Sequence, residues 1–78
     1  MTVSAYVFVL TDMDKTSAVA DAIRQIEGVD EVEVVTGPYD VIVKASANTM
    51  DELGKMVVGH VQKVPGMNRT ITSPVVNL

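Results

Sequence analysis

The sequence predicts an α+β domain of βαββαβ order, the ferredoxin-like arrangement of a four-stranded antiparallel sheet with two helices on one face. Three observations carry this. Apolar residues recur with a period of two over some segments and with a helical period over others. Glycine or a Gly/Pro pair stands at most changes of period. The two halves of the chain also echo each other: Ile23-x-x-Ile26-x-Gly28-Val29 matches Val61-x-x-Val64-x-Gly66-Met67 at a constant offset. Each match is a helix end, a glycine stop and a strand start, as expected where a βαβ unit occurs twice.

The first strand runs from Val3 to Thr11 and is apolar on both faces. Val3, Ala5, Val7 and Val9 point one way, and Tyr6, Phe8 and Leu10 the other. A strand with one wet face alternates apolar with polar, so this one is expected to be covered twice. Asp12 to Asp14 break the run, with Asp14 a candidate N-cap. From Lys15 the period becomes helical, with Ala18, Val19, Ala22, Ile23 and Ile26 on one stripe. Gly28 stops the helix, as glycine does where φ must be positive.

Val29 to Thr36 alternates as a second strand, Val32 and Val34 against Glu31 and Glu33. Gly37-Pro38 turns the chain. Tyr39 to Ser46 forms a third strand, with Tyr39, Val41, Val43 and Ala45 opposite Asp40, Ile42 and Lys44. Thr49-x-x-Glu52 has the pattern of a capping box, and Met50, Leu53, Val57, Val61 and Val64 follow at helical spacing until Pro65-Gly66. Met67 to Val76 is the fourth strand, and Pro74 within it marks an edge position or a bulge.

With 78 residues the chain is one domain, residues 1–78. A domain this short buries only roughly 60% of its unfolded surface. It has no cysteine and a single histidine, His60, so neither disulfides nor a structural zinc site reinforce the core. Oligomerisation is the remaining reinforcement. Two helices on one face of the sheet leave the other bare, and that face carries large side chains from the first strand. A bare apolar sheet face of several hundred Å² is rare on a soluble monomer, so dimerisation through the open face is expected.

The net charge is −4, and the six basic residues stand singly along the chain. No clustered Lys or Arg offers a phosphate backbone the contacts that it needs, and no DNA binding is expected of this chain. The apolar start lacks a basic n-region and is too short to span a bilayer. A cytoplasmic location is consistent with the absence of cysteine.

Few residues invite chemistry. Gly37-Pro38-Tyr39-Asp40 reads first as a tight connection between antiparallel strands. It also reads as a ligand loop, because a sheltered carboxylate such as that of Asp40 suits an α-ammonium group and backbone N–H groups at a glycine turn suit an α-carboxylate. Thr70 and Thr72 put two hydroxyls on one strand face, with Ser73 beside them, either as good strand residues or as a polar lining. His60 has no Cys, Asp or Glu at ligand spacing and reads as a boundary residue. Met13, Met50, Met56 and Met67 read as gap-filling core or boundary residues. The chain has no nucleophile elbow, phosphate-binding glycine loop or cysteine nucleophile. No catalytic residue, metal site or cofactor is expected.

Gly37-Pro38-Tyr39-Asp40, then Val64-Pro65-Gly66-Met67, then Arg69-Thr70-x-Thr72, in this order and spacing, resemble the effector-binding RAM domain of the Lrp/AsnC transcription regulators. The resemblance runs from about Ser4 to Val76. It implies a βαββαβ fold, dimers formed through open sheet faces, and often rings of four or more dimers. It also implies small effectors, typically amino acids, bound in clefts between subunits. By position it points to Gly37, Tyr39 and Asp40, and further to Thr70, Thr72 and Ser73, as ligand-binding residues. Family members carry a helix-turn-helix domain ahead of this module, whereas this sequence opens on the first strand. A stand-alone RAM domain is therefore expected, acting alone or assembling with full-length Lrp/AsnC regulators. Two other classes share the pattern. Small dimeric ferredoxin-like barrel enzymes, monooxygenases or isomerases, use His, Asn, Trp or Tyr inside the barrel, for which only Tyr6, Tyr39 and His60 are available. ACT-type amino-acid-binding domains lack the Pro-Gly…Arg-Thr-x-Thr ending.

Overall fold

The computed structural model describes residues 2–78. The chain folds as β1 (Val3–Thr11), α1 (Thr16–Arg24), β2 (Val29–Val34), β3 (Val41–Ala47), α2 (Met50–Gly59), a 3₁₀ turn (Val61–Lys63) and β4 (Met67–Pro74). The strands form one antiparallel sheet in the order β2-β3-β1-β4. This is the expected ferredoxin-like topology, with the two crossovers on one face.

The alternation in β1 decides the layering. Ala5, Val7 and Val9 are fully buried beneath the helices, in register with Ala45, Val43 and Val41 of β3. Val19, Ala20 and Ile23 of α1 and Leu53, Met56 and Val57 of α2 close over them, joined by Val61. No polar or charged residue is buried among those described. α1 rests chiefly against β2, and α2 over β3 and β1. The helical layer reaches β4 chiefly through the 3₁₀ turn. β4 is an edge strand and Pro74 is its last residue, where a missing N–H costs no ladder bond.

The other face holds the second set. Phe8 lies between Ile42 and Ile71 in one cross-strand row. Tyr6 lies between Lys44 and Ser73 in the next, with the Lys44 ammonium 5.9 Å from its ring centroid. Tyr6 and Ile71 are exposed and Phe8 and Ile42 half-buried, so this apolar face is open in the single chain.

The internal echo has a structural counterpart. Gly28 and Gly66 have φ of 95° and 91°. The first N–H of the strand after each, Val29 and Met67, donates to the carbonyl of Ile26 and Val64 at 3.2 and 3.1 Å. Both helix-to-strand joints use the same turn.

Several details differ from the sequence reading. Asp14 is no N-cap: it has φ of 64°, α1 starts at Thr16, and Lys15 at the cap makes no side-chain bond. Lys15 N–H instead closes a turn onto the Asp12 carbonyl at 3.0 Å. Ala18 faces solvent and Ala20 takes its place in the core. α2 stops at Gly59 because His60 leaves helical geometry, so Val61 reaches the core from the 3₁₀ turn and Val64 lies beyond it, extended. Only one half of the capping box forms: Glu52 N–H donates to the Thr49 hydroxyl at 3.1 Å. Val34 is 52% exposed on edge strand β2, and Met13 is 89% exposed in the loop before α1 rather than filling a gap.

Candidate functional site

The connection from β2 to β3 is fastened to the end of β1. Asp40 N–H donates to the Val9 carbonyl, and Val35 N–H to the Asp40 carbonyl, each at 2.9 Å. The Asp40 Oδ2 accepts from the Thr11 N–H at 2.8 Å and from the Thr11 hydroxyl at 3.2 Å. The Thr11 hydroxyl is in turn 2.6 Å from that of Thr16, the first residue of α1. Hydrogen bonds to a carboxylate are about twice as strong as neutral ones, so one half-buried side chain ties the turn to a strand and a helix. Asp40 Oδ1 has no protein partner among the described residues and is not sealed from solvent.

Tyr39 lies where the alternation did not put it. β3 begins only at Val41, and the Gly37-Pro38 turn resets the direction ahead of it. The Tyr39 ring packs on Phe8, with centroids 4.9 Å apart, which places it on the open sheet face and not with the core valines. Gly37 has φ of 130°, and a Cβ there would meet nothing within 4 Å. Its glycine serves the backbone conformation, not a close approach.

Thr70 and Thr72 share the helix-side face of β4, in register with Val9 and Val7. Thr70 is half-buried and its hydroxyl accepts from the Gln62 amide at 2.9 Å, while Thr72 is exposed. Ser73 points the other way, into the open face opposite Tyr6. β1 separates β3 from β4. The six candidate residues therefore occupy both faces of the sheet, and one chain does not gather them around one small molecule.

The reading of the sequence passed over Thr11, Thr16 and Gln62. Asp40 and Thr11 are far apart in sequence, and a hydroxyl at a strand end carries no periodic signal. A cleft of about 350 Å³ lies between Gln62, Met67, Asn68, Arg69 and Thr70, beside the Thr70 hydroxyl. Among the described residues no group of three His, Cys, Asp or Glu is placed to hold a metal ion. No described helix is long and apolar enough to cross a membrane.

The structure is thus a small α+β module with an open apolar sheet face and a turn fastened to the end of β1. The chain belongs to the Lrp/AsnC family: the Lrp/AsnC ligand binding domain matches residues 4–77. An uncharacterised HTH-type transcriptional regulator of Pyrococcus furiosus is 33% identical over 72 residues, covering 88% of this chain and 48% of the regulator. The chain thus spans about half the length of the curated regulators that it matches. A 58-residue stretch is also 36% identical to part of a homocitrate synthase from Sulfurisphaera tokodaii, covering 74% of the chain and 12% of that protein. Among solved structures, TTHA0845 from Thermus thermophilus superposes with a TM-score of 0.91 at 28% identity, over 97% of this chain and 95% of that one. A Neisseria meningitidis transcriptional regulator, solved as a complex with L-methionine, shares the fold with a TM-score of 0.85 at 18% identity, over 96% of this chain and 50% of the regulator.

Proposed function

We propose that this domain is a non-catalytic regulatory module that binds a small effector, an amino acid, between subunits paired through their open sheet faces. The observation that carries the reading is the division of the candidate residues over both faces of the sheet. Tyr39 and Ser73 lie on the open face, Thr70 and Thr72 on the other, and Asp40 at the end between them. A ligand that uses residues from both sets needs more than one copy of the chain.

The chemistry supports an amino acid. Asp40 Oδ1 is free to accept from an α-ammonium group while Oδ2 stays on Thr11. The Gly37 turn offers backbone N–H groups for a carboxylate. The methionine complex of the Neisseria regulator adds support by family. The open face argues against a barrel enzyme: Phe8, Ile42, Ile71, Tyr6 and Lys44 would line its interior, whereas His60 is on the helical layer. A module that matches both HTH-type regulators and a short part of a homocitrate synthase fits a sensing role, carried out alone or in mixed assemblies with full-length regulators in the cytoplasm.

Thermal denaturation with each of the twenty amino acids in turn tests the reading. A ligand at 100 times its Kd adds about 2.7 kcal/mol to the folded state, a shift of several degrees for a chain of this size. If none of the twenty raises the midpoint, an amino-acid effector is ruled out.

A further inference from the structure

The cleft between the 3₁₀ turn and β4 holds three hydrogen-bonding groups that the chain does not use. The Gln62 amide donates from Nε2 to the Thr70 hydroxyl at 2.9 Å. Asn68 donates from Nδ2 to the Asp12 carboxylate at 3.0 Å. These bonds set the orientation of both amides. They leave Gln62 Oε1, Asn68 Oδ1 and the proton of the Thr70 hydroxyl without a partner among the described residues. Arg69 also borders the cleft, but its register with Leu10 sends its side chain toward the open sheet face. Two acceptors and one donor, all neutral, therefore border a space of about 350 Å³.

The fold does not require a hydroxyl at this place. The offset that relates Gly28 to Gly66 also relates Arg24 to Gln62 and Val32 to Thr70. In the first half Arg24 donates to the backbone carbonyl of Val32 at 3.3 Å, and the valine side chain is buried in the core. In the second half the matching bond goes to a side-chain hydroxyl. The second half thus departs from the first by making a core position polar, at the wall of a cleft.

We propose that this cleft is the side-chain subsite for the effector, and that the effector carries a carboxamide, as glutamine and asparagine do. The inference rests on the amino-acid reading above and adds the side chain. A carboxamide has one acceptor oxygen and two N–H donors. Its oxygen receives the Thr70 hydroxyl proton, and its N–H groups donate to Gln62 Oε1 and Asn68 Oδ1. Every unused group then has a partner. An apolar side chain of the same length leaves all three unpaired once water is excluded. A carboxylate sets its charge against two carbonyl oxygens. The Asn68–Asp12 bond places the cleft at the corner where β1 ends, one residue past Thr11, which holds Asp40. The subsite and the anchor for the α-ammonium group lie at the same end of the sheet.

Calorimetric titration with L-glutamine, L-asparagine, L-glutamate and L-methionine tests the subsite. One of the two carboxamides is expected to bind at least about ten-fold more tightly than glutamate and at least about 100-fold more tightly than methionine. Thr70→Val removes the hydroxyl and should weaken the carboxamide by about ten-fold or more, with methionine bound no more weakly than before. Gln62→Leu, at an exposed position, should act in the same way, and it serves if a thermal melt shows that Thr70→Val fails to fold. Glutamate or methionine bound as tightly as the carboxamides overturns the subsite while the amino-acid reading stands. If none of the four binds, the subsite falls, and the melts with all twenty amino acids decide the wider reading separately. Unchanged carboxamide affinity in the folded variants leaves the Gln62–Thr70 bond as a tie between turn and strand, and overturns the proposal as well.

Discussion

The Asp40 carboxylate accepts from both the N–H and the hydroxyl of Thr11, at 2.8 and 3.2 Å, and so fixes the β2–β3 turn against the last residue of β1. Through the contact of Thr11 with Thr16 the same network reaches the start of α1. A residue that the sequence offers as a turn former or a ligand anchor is thus a structural tie first, with one oxygen left over.

That division sets the outcome at Asp40. Asp40→Ala removes the bonds to Thr11 and should lower stability by about 1.5–3 kcal/mol, the range for hydrogen bonds to a charged group. Asp40→Asn keeps one acceptor for the Thr11 N–H and should recover much of the loss in a thermal melt. It removes the charge, however, so calorimetric titration with the amino acid that best stabilises the native chain should show affinity falling by roughly ten-fold or more. Native affinity in Asp40→Asn would leave the carboxylate as a tie alone.

Two glycines with positive φ should respond differently to the same substitution. At Gly66 a Cβ would stand 2.7 Å from the Lys15 Cβ and 3.1 Å from Val19 Cγ2, whereas at Gly37 it meets nothing. Gly37→Ala should cost about 1 kcal/mol of backbone strain. Gly66→Ala adds a clash with α1 and should cost at least about 2–3 kcal/mol. Urea denaturation curves compare the two directly, and equal midpoints would contradict the close packing of the β1–α1 loop on Gly66.

Local chemistry made most of the fold legible in the sequence. Val3–Thr11 matches β1 because nothing within it interrupts the alternation. Gly28 and Gly66 mark both helix-to-strand joints because no other residue adopts those angles cheaply. Legibility ended where a residue's partner is distant in sequence. The side taken by Tyr39 depends on Phe8, and the role of Asp40 on Thr11, neither a neighbour in sequence. Asp14 failed as a cap because a turn onto the Asp12 carbonyl competes for the same stretch of backbone.

Thr49 is a case in which the local signal suffices. Its hydroxyl receives the Glu52 N–H at 3.1 Å, one of the donors left free at a helix start. Thr49→Ala should cost about 1 kcal/mol. Thr49→Asp should recover most of it, since aspartate also caps and its charge suits the helix N-terminus. Melting temperatures of the three proteins check the order.

Duplex DNA should not bind this chain by itself. The net charge is −4, and two of the six basic residues, Arg24 and Lys55, are already paired with Asp21 and Asp51. Too few cations remain on any one surface to release counterions from a phosphate backbone. A mobility shift that persisted at about 150 mM salt would reveal a surface that this charge distribution does not suggest.

The open sheet face gives the last expectation. Ile71 is on edge strand β4, 38% exposed, beside Phe8 and at the end of the row that continues to Ile42. Lysine there keeps its charge in water in a single chain, because the residue contributes nothing to the buried core. Against a second sheet the same charge would be enclosed among Phe8, Tyr39 and their counterparts, and burying an unpaired charge in an apolar contact costs several kcal/mol. Ile71→Lys should therefore separate sheet-paired copies while shifting the unfolding of the single chain by less than about 1 kcal/mol. Sedimentation equilibrium gives the mass, and near-ultraviolet circular dichroism of Tyr6 and Tyr39 reports whether the face stays folded. If Ile71→Lys stayed paired with an unchanged dissociation constant, the sheet face would not be the contact, and the exposed Tyr6 and half-buried Phe8 would need another partner to cover them.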